Sequence, residues 1–143
     1  EWTTEDSLYG SKQMAKQLKA TGKAFPKASD VAAVSNIDMI GDKNLDLLRD
    51  QNSTGWLNAL VREVAHGLGL SKAFGTLSTR IEDDHLPFLA IGLPAVDLID
   101  FSYGSDNAYW HNEKDTVDKL SAESLETMGR IVLGSIDAIA KRK

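Results

Sequence analysis

Carboxylates and one histidine of this chain lie where elements of a predicted sheet end. Asp38 and Asp100 each close an apolar run, the pair Asp83-Asp84 precedes a short apolar segment, and His111 follows in a polar loop. Open α/β sheets bind ligands at the carboxyl ends of their strands. Carboxylates there can hold a metal, orient a ligand or share a proton. The spacing therefore predicts one candidate site built from these residues.

Each of these residues also has an ordinary structural explanation. Asp84 is placed to cap the helix predicted after it, a position at which aspartate is common. Asp38, close to Gly41, fits a turn. His111 fits a surface histidine, but its polar, turn-rich surroundings from Asn112 onward suit a metal ligand better than a core residue.

For His85 and the three tryptophans, a structural role must likewise be weighed against a role in the candidate site. His85 lies inside the predicted capping turn, which favours a supporting or structural role. Trp2, Trp56 and Trp110 are of a type that is more often core than pocket. Trp110 is the exception, because its position in a polar loop next to the candidate ligand favours a pocket wall.

Helical and strand patterns alternate along the chain, which predicts an α/β fold with a mainly parallel or mixed sheet. Strands are expected over 31–40, 44–50 and 94–101, and a long polar loop over 102–118. Helices are expected over 7–20, from Thr54 to about Gly67, over 84–92, and for a long stretch after Ser121.

Composition excludes several classes of function. The chain has 143 residues, of which 42% are hydrophobic, enough for one domain with its own core. A net charge of -5 argues against nucleic acid as a partner. Cysteine is absent, so no thiolate site is expected, and no apolar run is long enough for a membrane span.

Three motifs follow one another along the chain: NIDMIG at 36–41, DDHLPF at 83–88 with GLP at 92–94, and WH at 110–111 followed by DTVDKL at 115–120. Together they resemble the later motifs of the zinc-dependent exopeptidase superfamily, which includes the aminopeptidases and the glutaminyl cyclases. The start of the chain, EWTTEDSLYGS at 1–11, is similar to the glutaminyl-cyclase branch in particular. The resemblance covers nearly the whole chain.

The resemblance implies a partial three-layer α/β/α zinc-exopeptidase fold. The family's first-motif ligand and its Glu-Glu pair would lie before Glu1, so residues 1–143 would be the C-terminal part of a single catalytic domain whose N-terminal part is missing. His111 would then be the one zinc ligand of a cyclase-like site present here. The chain alone is expected to be inactive, and to bind the missing part or to self-associate.

The activity implied is formation of N-terminal pyroglutamate with release of ammonia, on a peptide N-terminus as substrate and with zinc as cofactor. In that resemblance Asp84 would hold the substrate amine or amide, and Asp38 would share a proton with it. Trp2 and Trp110 would flank the glutamine side chain. A secreted or periplasmic location is implied by the resemblance alone.

Two other functions stay open. In a dinuclear zinc aminopeptidase, a bridging water would attack the peptide carbonyl and Asp38 would be a candidate ligand of the second metal. A non-catalytic, peptidase-like interaction domain would explain the missing ligands without a missing segment, although it leaves the joint presence of Asp38, Asp84 and His111 unexplained.

Overall fold

The computed structural model describes residues 6–20 and 26–142, which form alternating helices and strands. The strands are β1 (Val34–Asp38), β2 (Leu47–Asp50), β3 (Phe74–Thr79) and β4 (Ala95–Ile99). The α-helices are α1 (Tyr9–Lys19), α2 (Gly55–Gly67), α3 (Leu86–Ala90) and α4 (Ala122–Lys141).

The strands form a mixed arrangement. β1 pairs with β4 and β2 pairs with β3, both in parallel. β2 runs alongside β4 in the opposite direction: the Asp46 N–H, before β2, donates to the carboxylate of Asp100, beyond the end of β4, at 2.8 Å. The Thr54 N–H, beyond β2, donates to the carbonyl of Ala95 at the start of β4, also at 2.8 Å. The carboxyl ends of β1 and β4 therefore lie at one edge.

Successive residues of a strand point to opposite sides, so each strand has two faces to bury. Helices cover both faces. Val96 and Leu98 of β4 pack with α2 and α4, whereas Ala95 packs with α1 and α3. This is the three-layer α/β/α architecture that the sequence predicts. Each fully buried aliphatic side chain contributes about 1.5–3 kcal/mol relative to an exposed one. The main cluster includes Leu47, Leu57, Val61, Met128 and Ile131.

The first strand is shorter than the sequence predicts. A 3₁₀ turn over Ala28–Asp30 precedes β1, and Met39 ends it with a φ of 50°. Within the described residues β1 pairs only with β4, and Ile37 is 41% exposed. The strand expected over 31–40 is therefore reduced to five residues, Val34–Asp38.

Of the two candidate helix caps Ser121 and Asp84, only Ser121 caps a helix in the structure. Ser121 caps α4, and its hydroxyl accepts the Ser124 N–H at 3.3 Å. Asp84 does not cap α3, because the helix begins one residue later than predicted, after His85. None of the helices in the described ranges is long and apolar enough to cross a bilayer.

Candidate active site

One cavity of about 790 Å³ opens at the edge where β1 and β4 end. Asp38, Asp83, Asp84, Trp110 and His111 all line it. Residues that are far apart in the sequence thus meet in one space, as the strand-end argument predicts. Trp2, the other predicted wall, lies outside the described residues.

Three residues in the wall of this cavity have left-handed backbone conformations. The φ angles are 56° at Leu8, 50° at Met39 and 53° at His111. For residues with a Cβ such conformations cost of the order of 1–3 kcal/mol each. Strain of this kind clusters at functional sites, so its concentration here supports a functional cavity.

Asp38 is the last residue of β1, and its carboxylate is exposed toward the cavity. Its Oδ1 accepts the Met39 N–H at 2.9 Å, so the side chain also supports the turn. The turn explanation and the functional one are therefore compatible at this residue. The second carboxylate oxygen has no hydrogen bond within the described part of the chain that would keep it from a substrate.

Asp83 is the acid that interacts electrostatically with Asp38. Burial is the main reason that the pKa of Asp83 is raised, and the negative charges of Asp38 and Asp84 raise it further. The Asp84 N–H, which donates to Asp83 Oδ1 at 2.6 Å, opposes this effect, as does His85. A carboxyl group of this kind can keep its proton at higher pH than an ordinary aspartate.

Asp84 is more exposed than Asp83 and has a different partner. Its Oδ1 accepts the hydroxyl of Ser11 at 2.5 Å, which ties the turn to α1. The two neighbouring acids are therefore not equivalent. Both acids belong to the site expected from the sequence, but the family resemblance implies a role for Asp84 alone. Nothing in the sequence shows that Asp83 interacts with Asp38.

Trp110 and His111 form an aromatic wall. Their rings stack with centroids 4.2 Å apart and planes 22° apart, and Phe101 meets the indole edge-on at 5.3 Å. Trp110 is 41% exposed and lines the cavity, so part of its ring is available to a ligand. The loop that carries the pair is held by Tyr103, whose hydroxyl donates to Asp115 at 2.6 Å. That hydrogen bond raises the pKa of Tyr103 to about 12.

The donor atoms of the cavity suit zinc only in part. An imidazole and carboxylates are ligands that zinc takes, and a catalytic zinc site uses three protein ligands. Within residues 6–20 and 26–142, however, no three His, Cys, Asp or Glu side chains converge to hold a metal ion. His111 therefore fits as one ligand of an incomplete set.

A buried polar network adjoins the cavity at Ile81, and most of its members were not predicted from the sequence. The His85 ring is fully buried, with Nε2 3.1 Å from Asp50 Oδ2 and Nδ1 3.7 Å from Asp97 Oδ2. The structural role predicted for His85 agrees with this placement. Asp97 interrupts the apolar run AVDLI of β4, and a charged residue within a buried strand was the signal that could have revealed it.

The two buried carboxylates have opposite pKa shifts. Burial tends to raise the pKa of Asp50, but the His85 ring beside it, the Ser53 hydroxyl and the backbone N–H groups of Ile81 and Asn52 outweigh burial and hold it well below its usual range. The pKa of Asp97 is raised to about 7, chiefly by burial. Asp50 is thus held as a carboxylate, and Asp97 favours its protonated form.

Asp100, the other strand-end acid, does not line the cavity. It is fully buried and accepts N–H bonds from Asp46 at 2.8 Å and Ser102 at 2.9 Å. Burial raises its pKa despite these bonds. Its contacts are those of a residue that holds two backbone segments together.

The chain is similar to glutaminyl-peptide cyclotransferases and to zinc exopeptidases. The glutaminyl-peptide cyclotransferase of the snake Boiga irregularis is 26% identical over 149 residues, which cover 92% of this chain and 39% of that protein. The glutaminyl cyclase structure from an Acidobacteriales bacterium is 38% identical with a TM-score of 0.94, and the match covers 100% of this chain and 49% of the other.

A zinc-dependent exopeptidase structure from Parabacteroides distasonis shares the fold. It is 24% identical with a TM-score of 0.78, over 99% of this chain and 48% of the other. The chain thus spans about half the length of these solved structures and less of the relative. Residues 2–136 match Peptidase family M28, and the chain therefore belongs to that family.

Proposed function

We propose that this chain is the C-terminal part of the catalytic domain of a zinc-dependent glutaminyl-peptide cyclase. The observation that carries the proposal is the cavity, in which an acid pair, Asp38 and Asp83, lies with the Trp110–His111 aromatic wall. The 38% identity to a glutaminyl cyclase along the whole chain supports the same assignment.

In the proposed reaction the N-terminal amine of a glutaminyl peptide attacks the carbon of its own side-chain amide. A new C–N bond closes the ring, the amide C–N bond breaks, and the proton lost by the amine leaves with the amide nitrogen as ammonia. Asp83, with its raised pKa, and Asp38 together can hold and share a proton near the reacting nitrogen atoms. Asp84 offers an exposed carboxylate to the substrate amine.

The aromatic wall fits the substrate side chain. A primary amide is small and flat, and the half-exposed Trp110 ring offers a flat apolar surface beside it. The curated relatives are named glutaminyl-peptide cyclotransferases, which supports a peptide N-terminus as substrate.

Two observations support zinc as the cofactor: the family of the chain and the presence of His111 in the cavity. When bound, the metal would polarise the side-chain amide oxygen and offset its developing negative charge. His111 would supply one ligand, and the other ligands would come from residues outside the described part of the chain.

The proposal that this is a C-terminal part rests on two observations. The solved relatives are about twice as long, and β1 has an edge that no strand of the described residues pairs. An unpaired strand edge is suited to another strand. We propose that preceding residues of the same domain fill this edge, that the chain alone is inactive and associates, and that the complete protein is secreted or periplasmic.

An aminopeptidase is the second candidate. The family is a peptidase family, and the exopeptidase of similar fold is named as zinc-dependent. In this alternative Asp38 would bind a second metal ion. A non-catalytic interaction domain is the third candidate, favoured by the incomplete ligand set within the described ranges.

Steady-state cyclisation of a glutaminyl peptide by the complete, zinc-loaded protein tests the residue roles. Asp83→Asn and Asp84→Asn compare the two adjacent acids, and we expect the Asp83 change to reduce kcat by roughly 100-fold or more. Glu113→Gln, a neighbouring exposed acid that does not line the cavity, is the control. Unchanged kcat in Asp83→Asn would contradict the acid-pair assignment.

A further inference from the structure

We infer that His85 and Asp50 are positioning residues: together they pin both ends of the five-residue segment 81–85 that presents Asp83 and Asp84 to the cavity. Their effect on turnover rests on the proposed function, whereas their effect on the segment does not. Neither the His85 nor the Asp50 side chain lines the cavity. Both therefore act through Asp83 and Asp84, which lie within the segment.

One carboxylate holds the two ends of the segment. Asp50 Oδ1 accepts the N–H of Ile81, the first residue, at 2.9 Å. Asp50 Oδ2 lies 3.1 Å from Nε2 of His85, the last residue. Residues 82–84, which all line the cavity, form the arch between these anchors.

Asp50 is itself held rigidly at the end of β2. Its Oδ2 accepts the N–H of Ser53 at 2.7 Å and the hydroxyl of the same residue at 2.6 Å. Its Oδ1 also accepts the Asn52 N–H at 3.1 Å. Because these donors hold the Asp50 carboxylate at the end of β2, the segment 81–85 is anchored to the sheet.

The second carboxylate connects the histidine to two further strands, β4 and β1. Asp97 lies in β4, and its Oδ1 accepts the side-chain amide of Asn36 in β1 at 3.0 Å. Its Oδ2 is 3.7 Å from His85 Nδ1. Neither His85 nitrogen meets the geometry of a hydrogen bond, so the ring is held by its close contacts with the two carboxylates and by its complete burial.

A role in orienting Asp83 and Asp84 explains this network better than a contribution to the stability of the fold does. Well-packed apolar residues often stabilise a core as well as buried ion pairs do, so the network needs another reason. The hydrogen-bonded part of the network, in which Asp50 accepts four bonds, fixes one arrangement of the groups that it joins. Here that arrangement sets where Asp83 lies relative to Asp38, and a misplacement of about 1 Å in an active site can cost about 100-fold in rate.

The test compares His85→Gln and Ser53→Ala with Met128→Ala in the complete protein. Ser53→Ala removes one donor to Asp50 and the acceptor of the Asp97 N–H, and it leaves the His85 ring in place. It therefore keeps the test decisive where His85→Gln fails to fold. Met128→Ala truncates the α2–α4 core far from the cavity and controls for lost stability.

We expect kcat per folded molecule to fall by roughly 10-fold or more in His85→Gln and by a few-fold in Ser53→Ala, with KM within about threefold of wild type. Met128→Ala should keep kcat within about twofold. Equal kcat losses in the core variant, or wild-type kcat in Ser53→Ala, would overturn the inference.

Amide exchange separates this inference from the proposed function. The N–H groups of Ile81 and Leu86, which bond to Asp50 Oδ1 and to the Asp83 carbonyl, should exchange faster in His85→Gln and Ser53→Ala than global unfolding explains. If wild type cyclises no peptide but this exchange accelerates, the proposed function fails and the positioning stands. Unchanged exchange at both groups would refute the positioning whatever the activity.

Discussion

Replacing Asp97 by asparagine should change how the stability of the protein depends on pH. The pKa of Asp97 in the folded protein is about 7, raised from an ordinary value of 3.8 mainly by burial. A raised pKa means that the folded state binds the proton more tightly than the unfolded chain does. The contribution of Asp97 to stability is therefore fully present below about pH 4 and is lost as the pH rises toward 7.

The magnitude follows from the size of the shift. Each pKa unit corresponds to about 1.4 kcal/mol, so a shift of about three units makes the folded state lose up to about 4 kcal/mol across this window. The shift is a net effect, in which burial outweighs the opposing charge of His85. Asparagine keeps the acceptor for Asn36 and cannot ionise, so the variant lacks this slope.

Urea denaturation of wild type and Asp97→Asn at half-unit steps from pH 4 to pH 8 measures the effect. The free energy of unfolding of wild type should fall relative to that of the variant as the pH rises. Asp137→Asn, at an exposed acid of α4, serves as the control and should give a curve parallel to wild type. Parallel curves for Asp97→Asn as well would refute the buried-acid reasoning.

Three further outcomes are expected from the site geometry. Ser11→Ala removes the 2.5 Å hydrogen bond to Asp84 and should raise KM for glutaminyl peptides severalfold, with about 1 kcal/mol or less lost in urea denaturation. Tyr103→Phe frees Asp115 and should cost about 1 kcal/mol while weakening zinc binding by the complete protein, because the loop that carries His111 is less well held. Calorimetry on this chain alone should show no tight zinc site, because no three ligands converge within the described residues, and a tight site lost in His111→Ala would contradict this.

Much of the fold could be predicted because its signals are periodic. The apolar spacing of Leu57, Val61 and Ala65 defines the buried side of α2, and the apolar run of β4 defines a central strand. β3 could not be predicted because FGTLST is partly polar and contains Gly75. It is a strand because it pairs with β2, a long-range contact that local preference does not encode.

The members of the site could be predicted better than their arrangement. Strand ends and motif resemblance indicated Asp38, Asp84, Trp110 and His111, and all four residues line one cavity. Which of the two neighbouring acids faces Asp38 depends on the path of the segment 81–85, and that path is fixed by a buried network. Such a network joins residues 36, 50, 85 and 97, whose proximity no local pattern shows.

The product formed from a glutaminyl peptide tests the central claim most directly. The complete, zinc-loaded protein is incubated with a peptide that begins with glutamine, and mass spectrometry identifies the product. The proposed function predicts a full-length peptide that has lost ammonia and carries N-terminal pyroglutamate, with no such product from His111→Ala. A peptide shortened by its first residue would show an aminopeptidase instead, and an unchanged peptide would contradict catalysis at this cavity.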